Sequence, residues 1–231
     1  YIVDPSGYTS WKPPSFYANP PIVSRSKWGA WTPGVYQIDL GLAGRICYAG
    51  CEEGIYDSTS NPAGYAFYSA LLPCVPLEDI LDSVVIHHEG NNPSYDVQTI
   101  QREHMLGNRW TDIGYHFIVA PDGTIYEGRS IGARGSHVAG ENTGRIGILI
   151  MGDFQPGPTY TFLGLTVYRD DDDPGPTNEQ VQSTMWLIRW LDYQYGIEEV
   201  LGHRDLNPTE CPGDYCVPYV SMFNQVVQGG R

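Results

Sequence analysis

Two adjacent histidines, His87 and His88, close a short apolar run, and a third, His203, closes another. Cys211 follows His203 across the loop 204–210. Imidazole nitrogen and thiolate sulfur are donors that zinc takes, and a catalytic zinc keeps one of its four tetrahedral positions for water or substrate. Two imidazoles and one thiolate bring a single negative charge, so such a site stays net positive, able to polarise a carbonyl and to acidify water. Residue types and spacing leave a second reading open. A histidine at a strand end is as readily a hydrogen-bonded structural residue, and Cys211 could pair with Cys216.

For residues so far apart in the chain to share one ion, the strands that end in them must meet at one edge of a sheet. The sequence supplies such strands. Ser83-Val84-Val85-Ile86-His87 reads as a buried strand, and Arg145 to Met151 is the most apolar strand candidate and reads as central. Tyr115 to Ala120 and Thr124 to Glu127 read as a hairpin, because Pro121-Asp122-Gly123 between them presets one turn angle and permits a positive one. Val200 and Leu201 give a last strand leading into Gly202-His203. Helical spacing of Val97, Ile100 and Met105 predicts a helix over 96–105. Thr177 and Gln180 form a capping box before Val181, Met185, Ile188 and Leu191, with Gly196 as the stop. Pro218 suits the first turn of a C-terminal helix. Strands interleaved with helices predict an α/β fold, a mixed central β-sheet packed by helices.

Residues 1–78 differ from the rest. They are rich in proline and aromatic residues, among them Trp11, Trp28 and Trp31, and carry Cys47, Cys51 and Cys74 without a sustained helical period. They are expected to form an irregular N-terminal arm, and residues 79–231 the regular domain. The run Asp170 to Asp173 lacks the spacing of a calcium loop and reads as solvated. The 231 residues carry a net charge of −14 with only 13 lysines and arginines. That balance argues against nucleic acid, because phosphate binding needs clustered basic residues. No run of 18 apolar residues offers a membrane span. Of five cysteines, one taken as a ligand leaves four for two bridges, which suits a secreted chain. The opening stretch, without Met, reads as a mature or trimmed form.

The motifs then carry a specific resemblance. Val85-Ile86-His87-His88, Trp110-Thr111-Asp112-Ile113-Gly114-Tyr115-His116-Phe117, Asp122 to Arg129, Gly135-Ser136-His137, Ile146-Gly147-Ile148, Gly202-His203-Arg204-Asp205 and Pro208-Thr209-Glu210-Cys211-Pro212-Gly213 stand in family order. Together they resemble the zinc amidase domain shared by peptidoglycan recognition proteins and amidase-type phage lysozymes. Ile22 to Ala30 looks like the segment that precedes that domain. The resemblance implies hydrolysis of the amide bond between N-acetylmuramic acid and L-alanine in peptidoglycan, with one zinc ion held by His87, His203 and Cys211. It implies Tyr115 and Thr209 as catalytic residues that stabilise developing charge. His137 falls where the family places a groove histidine, and His88 and Arg129 join it as expected substrate-side residues, with His88 also suited to packing beside the metal ligands.

The chain departs from the recognition proteins in a long insertion between Ala30 and about Pro76 and in two further respects. Thr111 stands where they commonly carry a disulfide cysteine, and Ser130-Ile131 matches neither residue pair associated with the third residue of the stem peptide. Cys216 is expected to bond to the N-terminal arm. Glu89 is conceivable as a general base, though a solvated loop glutamate is the plainer reading. The same fold also supports binding of peptidoglycan fragments without cleavage; non-catalytic relatives commonly lose the cysteine ligand, and this chain keeps it.

Overall fold

The computed structural model describes residues 18–33, 65, 67–72, 75–90, 95–157, 159–162, 165–168 and 175–229. Cys47, Cys51, Cys74, Trp11 and the acidic run at 170–173 lie outside them. The chain begins with β1 (Ile22–Val23), α1 (Arg25–Trp28) and α2 (Tyr68–Leu71). It continues through β2 (Ser83–His88), α3 (Val97–Arg102), β3 (Phe117–Val119), β4 (Ile125–Glu127) and β5 (Arg145–Ile150). A separate ribbon, β6 (Thr159–Phe162) with β7 (Leu165–Tyr168), precedes α4 (Asn178–Tyr195), β8 (Glu199–Gly202) and α5 (Val217–Gln228).

Six strands form one mixed sheet in the order β1-β4-β3-β5-β2-β8. Only the β3–β4 hairpin is antiparallel; every other pairing is parallel. β2 and β5 are buried on both faces, as central parallel strands flanked by helices must be. On one face Val84, Ile86, Ile146, Ile148 and Ile150 pack with Leu187, Ile188 and Leu191 of α4 and Phe223 and Val227 of α5. On the other, Leu149 and Ile118 pack with Trp28, Val97, Ile100 and Ile113. The expected α/β architecture is therefore the observed one.

Local chemistry sets the ends of these elements. Thr177 and Gln180 make the reciprocal capping box at the start of α4, and Gly196 closes that helix in the left-handed conformation. Asp96 caps α3 by accepting from Thr99 N–H. The expected helix over 96–105 keeps its buried Val97, Ile100 and Met105, but changes from α to a π-turn at Glu103–Gly107. That widened turn preserves the apolar face while shifting where His104 points.

The stretch read as an arm contributes to the sheet. β1 pairs in parallel with β4. Arg25 bonds the Asp112 carboxylate at 3.0 Å and the Gly128 carbonyl at 2.6 Å, and Trp28 donates its indole N–H to Glu127 O at 2.8 Å. Farther along, Tyr68 accepts from Gly144 N–H at 3.0 Å, tying α2 to the entry of β5. Cys216 departs from expectation. It is a free thiol, fully buried in the α4–α5 core, rather than a bridge to the arm.

Candidate metal centre

The sheet register brings the first two donors together. β2 and β8 run parallel with Ile86 opposite Gly202, so the next residues, His87 and His203, leave the same edge side by side. Their ring centroids lie 4.6 Å apart. Cys211 returns to this edge through a loop that Arg204 staples. Arg204 N–H donates to Cys211 O at 2.9 Å, and its guanidinium bonds the Glu210 carbonyl and the Asp214 carboxylate. Asp205 accepts from Gly202 N–H at 2.8 Å, fixing the turn after β8. Gly213 then lets the chain pass directly against the Phe154 backbone at φ +86°, where a side chain has no room.

The outcome is one cluster in which donor atoms of His87, His203 and Cys211 all lie within 4.8 Å of one another. His87 Nδ1 and Cys211 Sγ are 3.6 Å apart. Zinc–nitrogen and zinc–sulfur bonds at a tetrahedral angle place such a pair about 3.6 Å apart. The donor chemistry fits as well. Burial, then the neighbouring histidines, hold His87 well below the ordinary imidazole pKa, and burial also lowers His203. The lowering favours the neutral ring, the form that binds metal. Burial pushes the Cys211 thiol up to about 12, against the opposing pull of the His88 N–H at 3.4 Å and of Arg204. A divalent cation is the partner that reverses such a shift.

The other expected residues divide into two groups. Tyr115 stands at the cluster, its ring centroid 5.0 Å from that of His87. Burial, followed by Cys211 and Glu89, raises its hydroxyl pKa, so it remains a donor. Thr209 is exposed, and its oxygen accepts from Cys211 N–H at 3.2 Å, leaving its hydroxyl hydrogen free to donate from the loop that carries the third metal-binding residue. His88 turns to the opposite face of β2, where its Nδ1 accepts from Phe154 N–H at 3.1 Å. Glu89 accepts from Tyr95 N–H at 2.7 Å. His137 is only 7% exposed and lies behind His87 rather than in an open groove. Arg129 is a correction. It is wholly buried, donating to the carbonyls of Ile113 and Arg134 under the Tyr65 ring, and has no surface with which to touch a substrate.

Sequence reading did not single out two further histidines. His104 packs between Trp110 and Tyr115, with centroids 4.7 and 5.4 Å away, and its Nδ1 accepts from Gly114 N–H. His116 is buried; its Nδ1 accepts from Gly147 N–H and its Nε2–H donates to Ala133 O. His116 was visible as part of a motif, but nothing in its spacing tells a backbone clamp from a ligand.

Residues 78–214, a span containing all three donors together with Tyr115 and Thr209, match the family model for N-acetylmuramoyl-L-alanine amidase. The chain belongs to that family. Among its relatives, peptidoglycan-recognition protein SC2 of Drosophila melanogaster is 31% identical over 144 residues, covering 59% of this chain and 71% of its own. The endolysin of Klebsiella phage KP32 is 30% identical over 132 residues, covering 56% and 78%. Among solved structures, the endolysin N-acetylmuramoyl-L-alanine amidase LysCS from Clostridium intestinale URNW aligns with a TM-score of 0.51 at 30% identity, over 65% of this chain and 89% of that one. Among the described residues, no helix is long and apolar enough to cross a membrane.

Proposed function

We propose that this chain is a zinc-dependent hydrolase of the amide bond between the lactyl group of N-acetylmuramic acid and the first L-alanine of the stem peptide. The observation that carries the reading is the meeting of His87, His203 and Cys211 within 4.8 Å, beside the ring of Tyr115. Those three residues would hold the ion. Bound there, zinc supplies Lewis acidity, for polarising the amide carbonyl and acidifying a water.

The chain's own groups account for the rest. As water adds to the carbonyl carbon, negative charge grows on the carbonyl oxygen. Tyr115, kept protonated, donates a hydrogen bond to that oxygen, and Thr209 donates from the loop of Cys211. Cleavage of the C–N bond and protonation of the nitrogen release a carboxylate and the alanine amine. The retained thiol favours hydrolysis over binding alone, since a receptor for peptidoglycan has no use for an ionisable donor on the edge of its sheet. A substrate in the bacterial wall also places the enzyme outside the cytoplasm.

The test is direct. Incubated with defined muropeptides, the protein should release free stem peptide, identifiable by mass, and chelator should stop it. Cys211→Ala should lose both zinc and turnover while keeping the native circular dichroism. Intact muropeptide after incubation with zinc-loaded protein would leave a binding module as the better account.

A further inference from the structure

His87 has two ring nitrogens, and each faces a different neighbour. Nδ1 looks toward Cys211 Sγ, whereas Nε2 lies 3.0 Å from Nδ1 of His137. A hydrogen bond between two imidazole nitrogens needs one proton, and the nitrogen that faces the thiol must be bare if it is to bind a metal. Both conditions are met when His87 carries its hydrogen on Nε2. We propose that His137 is a positioning residue, which accepts the Nε2–H of His87 and so fixes its tautomer and ring plane with Nδ1 presented to the ion. This rests on the zinc reading above and adds a residue that does not itself touch the ion.

The surroundings of His137 are built for that posture. Its own N–H and that of Val138 both donate to the Asn142 side-chain oxygen, at 2.8 and 2.9 Å, so the turn after Ser136 is pinned. Its ring then lies on two glycines. A Cβ at Gly147 would come within 2.6–2.8 Å of three ring atoms, and one at Gly135 would lie 2.6 Å from Nε2. Gly147 pairs with Val85, two residues before His87 on the same face of the sheet. The missing side chain there opens the slot beside His87 that the second imidazole fills. His137 Nε2 is buried, and the ring lies within hydrogen-bonding reach of the Arg145 backbone. Once Nδ1 accepts from His87, Nε2 must carry the hydrogen.

The experiment is a zinc titration of the metal-free full chain against a chromophoric chelator. His137→Leu keeps much of the volume and removes the acceptor. His137→Asn returns an amide oxygen near the place of Nδ1. Wild-type protein should bind one zinc, H137L should bind it about 10–100-fold more weakly, and H137N should recover most of the loss. Nitrogen-15 NMR of zinc-loaded wild type should find the His87 proton on Nε2, a measurement independent of how any variant folds. The proposal is overturned by H137L binding as tightly as wild type, by H137N binding as weakly as H137L, or by a His87 proton on Nδ1. Wild type that takes up no zinc defeats the hydrolase reading too, whereas normal zinc uptake indifferent to position 137 defeats this inference alone.

Discussion

Tyr115 and Cys211 illustrate how one local environment acts in opposite ways on two acids. Burial raises both pKa values. For the thiol that is an obstacle which only a cation removes, while for the phenol it secures a donor at every working pH. Tyr115→Phe should therefore lower kcat about 10²-fold, the usual cost of removing one donor to a developing oxyanion. KM and zinc affinity should change little, because the hydrogen bond strengthens only in the transition state. Unaltered kcat in Y115F, measured on a muropeptide, would remove this residue from the chemistry. The donor triad was legible in the sequence because residue type and motif both pointed to it. The situation of His137 was not: its contact with His87 crosses a separation of 50 residues and depends on a glycine whose importance is a matter of empty space. Arg129 misled for a related reason, since a charged residue in a motif reads as exposed unless the carbonyls that satisfy it are known.

At the scale of elements, the site is held by one register and one loop. The parallel pairing of β2 with β8 delivers two imidazoles without further help, but Cys211 depends on the 203–214 turn. Gly213 is its tightest point, with a positive φ and a hypothetical Cβ inside the Phe154 main chain. Gly213→Ala should destabilise the protein by about 2 kcal/mol or more, as strain and overpacking commonly do. It should also weaken zinc binding, read by urea midpoint and chelator competition on the same samples. An unchanged midpoint would show that the loop yields easily. β2, β5 and α4 were readable because apolar period, β-branched residues and caps agreed with one another. The π-turn at Glu103–Gly107 was hidden, since its buried positions also fit an α-helix. β1, two residues long, was hidden because its partner lies a hundred positions away.

The whole molecule folds around an unusual number of neutral imidazoles. Burial depresses both His104 and His116 to about 4, below the ordinary 6.5 that each regains on unfolding. A lowered folded-state value means the contribution to stability is complete above pH 6.5 and is lost as pH falls from there toward 4. Each group adds a slope of about 1.4 kcal/mol per pH unit over that window. Urea unfolding of the metal-free protein at pH 7.5, 6 and 5 should show a steep decline below 6.5, and a flat profile down to pH 5 would mean these rings accept protons without unfolding anything.

Ile22 and Val23 have a practical bearing on how this protein is to be handled. The match to the family model opens at residue 78, yet the sheet is finished by a strand that precedes it by more than fifty positions. Cut back to that matched span, the polypeptide would bare one ribbon of unsatisfied main-chain groups along β4 and leave a hole where an indole belongs. Such a fragment invites self-association through its raw margin. The family match and the folded sheet mark out different lengths of this chain, and the longer one includes the first turns of the arm.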